Sequence, residues 1–430
     1  MRRPHAAGPV RRIGMGVALL LLAAHALAQH AAPTAAWSAC SDDWPRRAGL
    51  APETLPGWVP RGTHLDALGT DGRQQAYYWT DRLGALPPPG AGALALSLAD
   101  EYGRGHCDAV IAVATRYLQS ADTPDPTIRY LRGLAALRVF RLALAAADLK
   151  ALDGLVPWPG WAAADQAAAR VRTLQALCPP QVRELQRGGV PIFRVYYEED
   201  NAWTRALLAT LPEAYARVTG FCGREPGETP VFVFRHNLAY EAFFEAYAEE
   251  PPKRWQWAAG ATGSLLFCQE DANREEAAAA GSDYFRAAIA HEFAHCLLGR
   301  YVGWGPVPAW LDEGLAQECG ARLASGDYAR NDAAIAEALA GTSLLALEAL
   351  ERSFYDEDTK HMAYAEAFAM VRHMEHRFGR GRLLRLIVAL REARDPDAAL
   401  RKVVGLDQQG VYDAWLQAAR AQYGSAPGGQ

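Results

Sequence analysis

Apolar residues along this chain change their spacing several times, and each change predicts a different kind of element. Between residues 91 and 178, Ala, Leu and Arg dominate and apolar positions recur every three or four residues, the period of an amphipathic helix. Near residue 190 the period falls to two. Ile192-Phe193-Arg194-Val195-Tyr196-Tyr197 is β-branched and aromatic, and reads as a strand. Residues 201–219 return to helical spacing and run up to Gly220. Pro230 to Phe234 and Gly263 to Cys268 read as two further strands, with a short helix from Leu238 to Ala248 between them. A long helix opens at Asp283, with Asp283 or Ser282 as its N-cap. From Trp310 onward the spacing is helical, broken near Gly326, Gly341, Asp358, Gly379, Asp395 and Gly405. Strands first and helices after predict an α+β fold.

The N-terminus has its own pattern. Arg2, Arg3, Arg11 and Arg12 precede an apolar run from Ile13 to Ala28 that ends in Ala26-Leu27-Ala28. A basic stretch, a short apolar core and a small-residue cleavage site together predict a secretory signal peptide over residues 1–28. The run is too short for a membrane span. No later segment is long and apolar enough to cross a bilayer, so the mature protein is expected in the periplasm or outside the cell, without a membrane span. Residues 29–90 are rich in Pro, Gly and Trp, have little periodicity and read as an irregular lead-in ending at Pro87-Pro88-Pro89-Gly90.

Composition narrows the function classes. The chain has 430 residues, half of them hydrophobic and 22% charged, with a formal net charge of -5. That is a globular balance with room for two or three domains, and it carries no basic footprint for nucleic acid. All seven cysteines follow the expected cleavage site, and their spacing makes no CxxC metal site. In an oxidising compartment most should pair. The pairs expected first are Cys222–Cys268 and Cys296–Cys319.

Within the helical stretch a 34-residue period is visible. Ala99 and Tyr102 correspond to Gly133 and Ala136, and the second unit continues through Ala145, Leu149, Leu152 and Pro157. This resembles two degenerate tetratricopeptide repeats; a generic helical hairpin domain accounts for the pattern as well. Either way a helical domain over 91–180 is expected, able to dock a protein partner.

The chemistry is concentrated in His291-Glu292-Phe293-Ala294-His295, a match to HExxH. Positions four apart project from one helix face, so the two imidazoles can share one ion. Glu292 is turned away from the ligand row and can reach water rather than metal. Catalytic zinc takes three protein ligands. Pro308-Ala309-Trp310-Leu311-Asp312-Glu313-Gly314-Leu315-Ala316 supplies the third as Glu313, in the first turns of a new helix that the turn from Gly299 to Pro308 can fold back.

HExxH followed by Trp-Leu-x-Glu-Gly-x-Ala resembles the gluzincin metallopeptidases with a peptidase MA-like domain, such as thermolysin-like enzymes and their aminopeptidase relatives. The likeness covers roughly residues 190–423. It implies a thermolysin-like zincin domain over 190–325, a small mixed sheet with the HExxH helix, followed by a helical subdomain over 326–423. It implies Zn2+ on His291, His295 and Glu313, with Glu292 as general base. Tyr364, in Tyr364-Ala365-Glu366-Ala367-Phe368-Ala369, resembles the segment that carries a catalytic tyrosine in the aminopeptidases, and would donate to the developing oxyanion; His361 is the alternative donor. Two departures stand out. The segment Ala259-Gly260-Ala261-Thr262-Gly263 lacks the acid that holds a substrate amino terminus, although an edge strand there could pair with an extended peptide. Gln317 stands where thermolysin-like relatives place an aspartate beside a ligand histidine.

The function expected is hydrolysis of peptide bonds in a peptide or protein substrate by zinc-activated water. A competing reading gives the work to the helical domain, as an interaction scaffold with an inert metal domain, but a scaffold has no use for Glu292. Hydrolysis of a non-peptide amide or an epoxide is a third.

Overall fold

The computed structural model describes residues 93–423 apart from short stretches at 122–124, 154–160, 249–257, 262–263, 270–280, 304–306, 325–326, 342, 355, 357 and 394. The expected signal peptide, the lead-in and Cys40 lie outside the described residues.

The chain begins with five helices: α1 (Ala93–Gly103), α2 (Cys107–Ser120), α3 (Pro126–Arg138), α4 (Leu142–Lys150) and α5 (Trp161–Leu177). The first four pack against one another in chain order. Strands β1 (Gln181–Arg187) and β2 (Val190–Tyr197) follow, then α6 (Ala202–Cys222), β3 (Thr229–Phe234), α7 (Asn237–Ala248), β4 (Ala258–Ala261) and β5 (Ser264–Cys268). The remainder is helical: α8 (Asp283–Val302), α9 (Ala309–Leu323), α10 (Asp327–Gly341), α11 (Leu347–Ser353), α12 (Lys360–Phe378), α13 (Arg380–Glu392), α14 (Pro396–Val404) and α15 (Gln408–Tyr423).

The five strands make one mixed sheet in the order β1-β2-β3-β5-β4. β2, β3 and β5 run parallel; β1 and β4 are antiparallel edges. Gly188 and Gly189, at φ +59° and +81°, close the β1–β2 hairpin in a conformation that other residues rarely adopt.

Alternation along the central strands assigns each side chain to a face. Val231, Val233, Leu265 and Phe267 enter a core built with α6, α8 and the C-terminal helices. Phe232, Phe234, Leu266 and Cys268 enter a second core made by the N-terminal helices and α7. Both faces of the sheet are therefore covered, as parallel strands require. Phe140, in the α3–α4 turn, anchors the N-terminal helices to the sheet. Its ring centroid lies 5.0 Å from that of Phe232 and 4.3 Å from that of Tyr247, and its backbone is held at φ +55°.

Two further contacts join the N-terminal helices to the end of α8. Arg300 meets Asp108 at 2.7 Å. Gly303, at φ +71°, lies so close to the Arg104 carbonyl that a Cβ would sit 1.8 Å from its oxygen.

Some local expectations are corrected. α6 runs past Gly220 and ends at Gly223, which takes the left-handed conformation at φ +64°. All six described cysteines are free thiols. Cys222 and Cys268 fall in cores on opposite faces of the sheet, which separates them. Cys319 is turned toward Cys222, not Cys296, and the Cys222 thiol together with burial pushes the Cys319 thiol well up. Among the described residues, no helix is long and apolar enough to cross a membrane.

Candidate metal centre

α8 is the scaffold of the site. Ser282 caps it by accepting a hydrogen bond from the Phe285 amide at 3.1 Å. Phe285, Ile289, Phe293 and Leu297 bury one side of the helix in the core, which turns His291 and His295 toward its half-exposed side. α9 is held at both ends, by α11 at its start and by α8 near its end. Glu351 accepts from the amides of Ala309 and Trp310 at 3.0 and 3.3 Å, placing a carboxylate at the positive end of α9. Further along, Gly320 lets α9 approach so closely that a Cβ there would meet the Ala287 carbonyl oxygen at 2.8 Å. Trp310 is fully buried, and its indole donates to Gln408 at 3.2 Å.

These constraints bring three side chains to one point. The Nε2 atoms of His291 and His295 lie 3.0 Å apart, and Oε2 of Glu313 lies 3.4 Å from each. Tetrahedral zinc with bonds of roughly 2.0–2.1 Å spaces its ligand atoms about 3.3 Å apart. The triangle therefore fits a metal ion without movement of either helix. Oε2 of Glu313 is buried and makes no hydrogen bond among the described residues, as expected of an atom reserved for a cation. His291, His295 and Glu313 are together a group that could hold a metal ion.

The electrostatics agree. Burial works to raise the pKa of Glu313, but His295 and then His291 override it and hold the carboxyl far below the usual range. Burial works against a charged His295, but Asp312 and Glu313 override it and raise the imidazole well above its ordinary value.

Asp312 is the residue that the sequence reading missed. Its Oδ1 lies 3.1 Å from Nδ1 of His295, where a carboxylate fixes the tautomer that presents Nε2 to the shared point. Gln317, expected near this role, makes no side-chain hydrogen bond among the described residues. The signal was present: an acid directly before Glu313 sits about 100° round the same helix, near enough to serve the same pair of imidazoles.

The other expected residues fall as follows. Glu292 is half-buried on α8 beside His291. Tyr364, on α12, places its ring centroid 6.3 Å from that of His291 and packs edge-on to Phe354 at 5.3 Å. His361, one turn earlier, is exposed. β4 is the edge of the sheet on the side of α8, and includes Ala259 to Ala261 of the segment expected to receive an extended peptide.

Comparison with known proteins gives one family match. Residues 256–421 match the model of the Peptidase MA superfamily. The match spans β4, β5 and the helices that carry the His-His-Glu cluster, and it supports a peptidase-type hydrolase there. It leaves out the N-terminal helices and β1 to β3. No curated protein and no solved structure matches the chain.

Proposed function

We propose that this chain is an exported, zinc-dependent metallopeptidase that cleaves peptide bonds in polypeptides. The observation that carries the reading is the triangle of His291 Nε2, His295 Nε2 and Glu313 Oε2, with sides of 3.0, 3.4 and 3.4 Å. The superfamily match over the same residues supports it, and the leader pattern at residues 1–28 supports export.

His291, His295 and Glu313 would hold zinc. When bound, the ion supplies Lewis acidity, polarising a carbonyl and making water acidic near neutral pH. Glu292 accepts a proton from the attacking water and delivers it to the leaving amine nitrogen. Tyr364 donates its phenol hydrogen toward the carbonyl oxygen, a bond that strengthens as negative charge gathers there. Asp312 holds His295 in the ligating tautomer. The outer edge of β4, the last strand of the sheet among the described residues, pairs with the main chain of an extended substrate.

The test is metal analysis of the purified protein combined with turnover of a quenched peptide pool, with and without chelator. Glu292→Gln is expected to keep its metal and lose roughly a hundredfold or more of the rate, whereas Glu313→Ala loses the metal itself. Wild-type turnover by Glu292→Gln, or turnover indifferent to chelator, overturns the reading.

A further inference from the structure

The N-terminal helices and the C-terminal end of α8 meet along an open groove of roughly 850 Å³. One wall is a face of α2, from His106 to Gln119. The other is the loop Gly223 to Gly227, the last turns of α8, and α13. Five arginines line it, Arg116, Arg141, Arg224, Arg300 and Arg391, against two carboxylates, Asp108 and Glu225. Both carboxylates are already engaged. Asp108 meets Arg300 at 2.7 Å and Arg141 at 3.4 Å, and Glu225 lies 3.5 Å from Arg187, which is not part of the lining. This positive excess sits in a chain whose formal net charge is -5.

The arginines are crowded as well as numerous. The guanidiniums of Arg224 and Arg391 lie 4.6 and 5.1 Å from the ring centroid of the same residue, Tyr301. Arg391 is only 8% exposed. Burial lowers its pKa, Tyr301 opposes this, and the neighbouring charges of Arg224 and Arg104 add to the lowering. Like charges gathered around a buried cation are costly, and a bound anion offsets that cost.

The length of the groove selects the kind of anion. Thirteen helical steps separate His106 from Gln119, about 20 Å at 1.5 Å per residue. That matches about six residues of extended chain. A single phosphate or sulfate would reach only a fraction of the arginines. The lining also includes the apolar Ile111, Pro226 and Leu297 and the uncharged polar Thr115 and Gln119, a mixture that suits a polypeptide better than a bare polyanion. We infer that this groove binds an acidic segment of a polypeptide in extended form, with its carboxylates on Arg116, Arg141 and Arg224. The binding does not depend on the peptidase reading.

The experiment uses full-length protein carrying Glu292→Gln, with chelator present, and a fluorescein-labelled hexaglutamate peptide followed by anisotropy. Saturable binding is expected, weakening with added salt, and weakened about tenfold or more by Arg116→Glu combined with Arg224→Glu. Hexaglutamine and hexalysine should not compete. Thermal unfolding checks that the double variant is folded; if it is not, Arg116→Gln and Arg224→Gln singly carry the test. Unchanged affinity in folded variants, equal binding of hexaglutamine, or displacement by inorganic phosphate at equal molar potency overturns the inference. No turnover is needed, so a failed peptidase reading and a failed groove are told apart.

Discussion

Two buried glycines on opposite sides of the sheet have very different surroundings. A Cβ on Gly314, in α9, would lie 2.4 Å from the Ala367 carbonyl oxygen and 2.6 Å from Val371 Cγ2 on α12. A Cβ on Gly133, in α3, would meet only the side chains of Leu149 and Asp148, at 3.2 Å and beyond. On the metal side, helices touch backbone to backbone; at Gly133, side chains that can shift separate them. The proposed metal site accounts for this: the carboxyl of Glu313 would have to stay within a few ångströms of two imidazoles, so α9 could not drift, whereas the helices around Gly133 have only to cover an apolar face.

The largest expected effect follows directly. Gly314→Ala should destabilise the protein by about 3 kcal/mol or more, because a backbone carbonyl cannot yield as a flexible side chain can. Metal content should fall with it, since Gly314 adjoins Glu313. Gly133→Ala should stay within about 1 kcal/mol of wild type, the Leu149 contact being offset by better helix propensity. Denaturant unfolding of both variants checks this, and equal losses would remove the distinction between the two sides.

The same contrast explains what the sequence made legible. β2, β3, β5 and α8 carry strong periodicity, and the C-terminal breaks at Gly341, Gly379 and Gly405 coincide with the ends of α10, α12 and α14. The His291–His295 pair was readable because helix geometry fixes its spacing, whereas Glu313, on the next helix, was read from the segment Trp310-Leu311-Asp312-Glu313-Gly314. β1, Gln181–Arg187, escaped notice because it is an edge strand with most residues exposed, leaving no apolar alternation to find. β4 has four small residues and no pattern at all. That the N-terminal helices share a core with the sheet had one signal: Phe232 and Phe234 make the second face of β3 as apolar as the first, and both need cover. The cysteine contact depends on how α6 and α9 cross, which spacing alone does not encode.

Buried carboxylates sharpen the comparison. On the N-terminal side Asp148 is 1% exposed and takes a two-pronged ion pair from Arg132, at 2.6 and 2.7 Å. On the metal side Glu366, fully buried on α12, accepts only the Leu345 amide at 2.8 Å, and its second oxygen makes no hydrogen bond among the described residues. Burial pushes its pKa up to about 8, against the pull of the Leu345 amide. The folded value is above the ordinary 4.5. The stabilisation is therefore complete below about pH 4.5 and is lost as pH rises toward 8, because the folded state holds the proton more tightly. Glu366→Gln keeps the amide acceptor and cannot ionise. It should gain on wild type by about 2 kcal/mol between pH 5 and pH 7. Parallel denaturation curves across that range would contradict this.

The smallest effect tests how the metal side holds its histidines. Asp312 is 38% exposed at the side chain, so water screens it, and its hydrogen bond to Nδ1 of His295 is one link removed from the point that the proposed metal would occupy. Asp312→Asn keeps an oxygen that can accept from Nδ1 but removes the negative charge that makes Nε2 a better donor to metal. Metal affinity should fall about 10- to 100-fold, read by competition with a chromophoric chelator, while the fold survives. Asp312→Ala, which removes the acceptor as well, should fall at the far end of that range. Gln317→Ala should leave affinity unchanged, since Gln317 touches neither imidazole through a hydrogen bond. A drop for Gln317→Ala with none for Asp312→Asn would move the orienting role to Gln317, the position singled out from the sequence. It would also mean that α9 presents a different face to α8 once metal is bound, which the backbone contact at Gly320 makes hard to achieve.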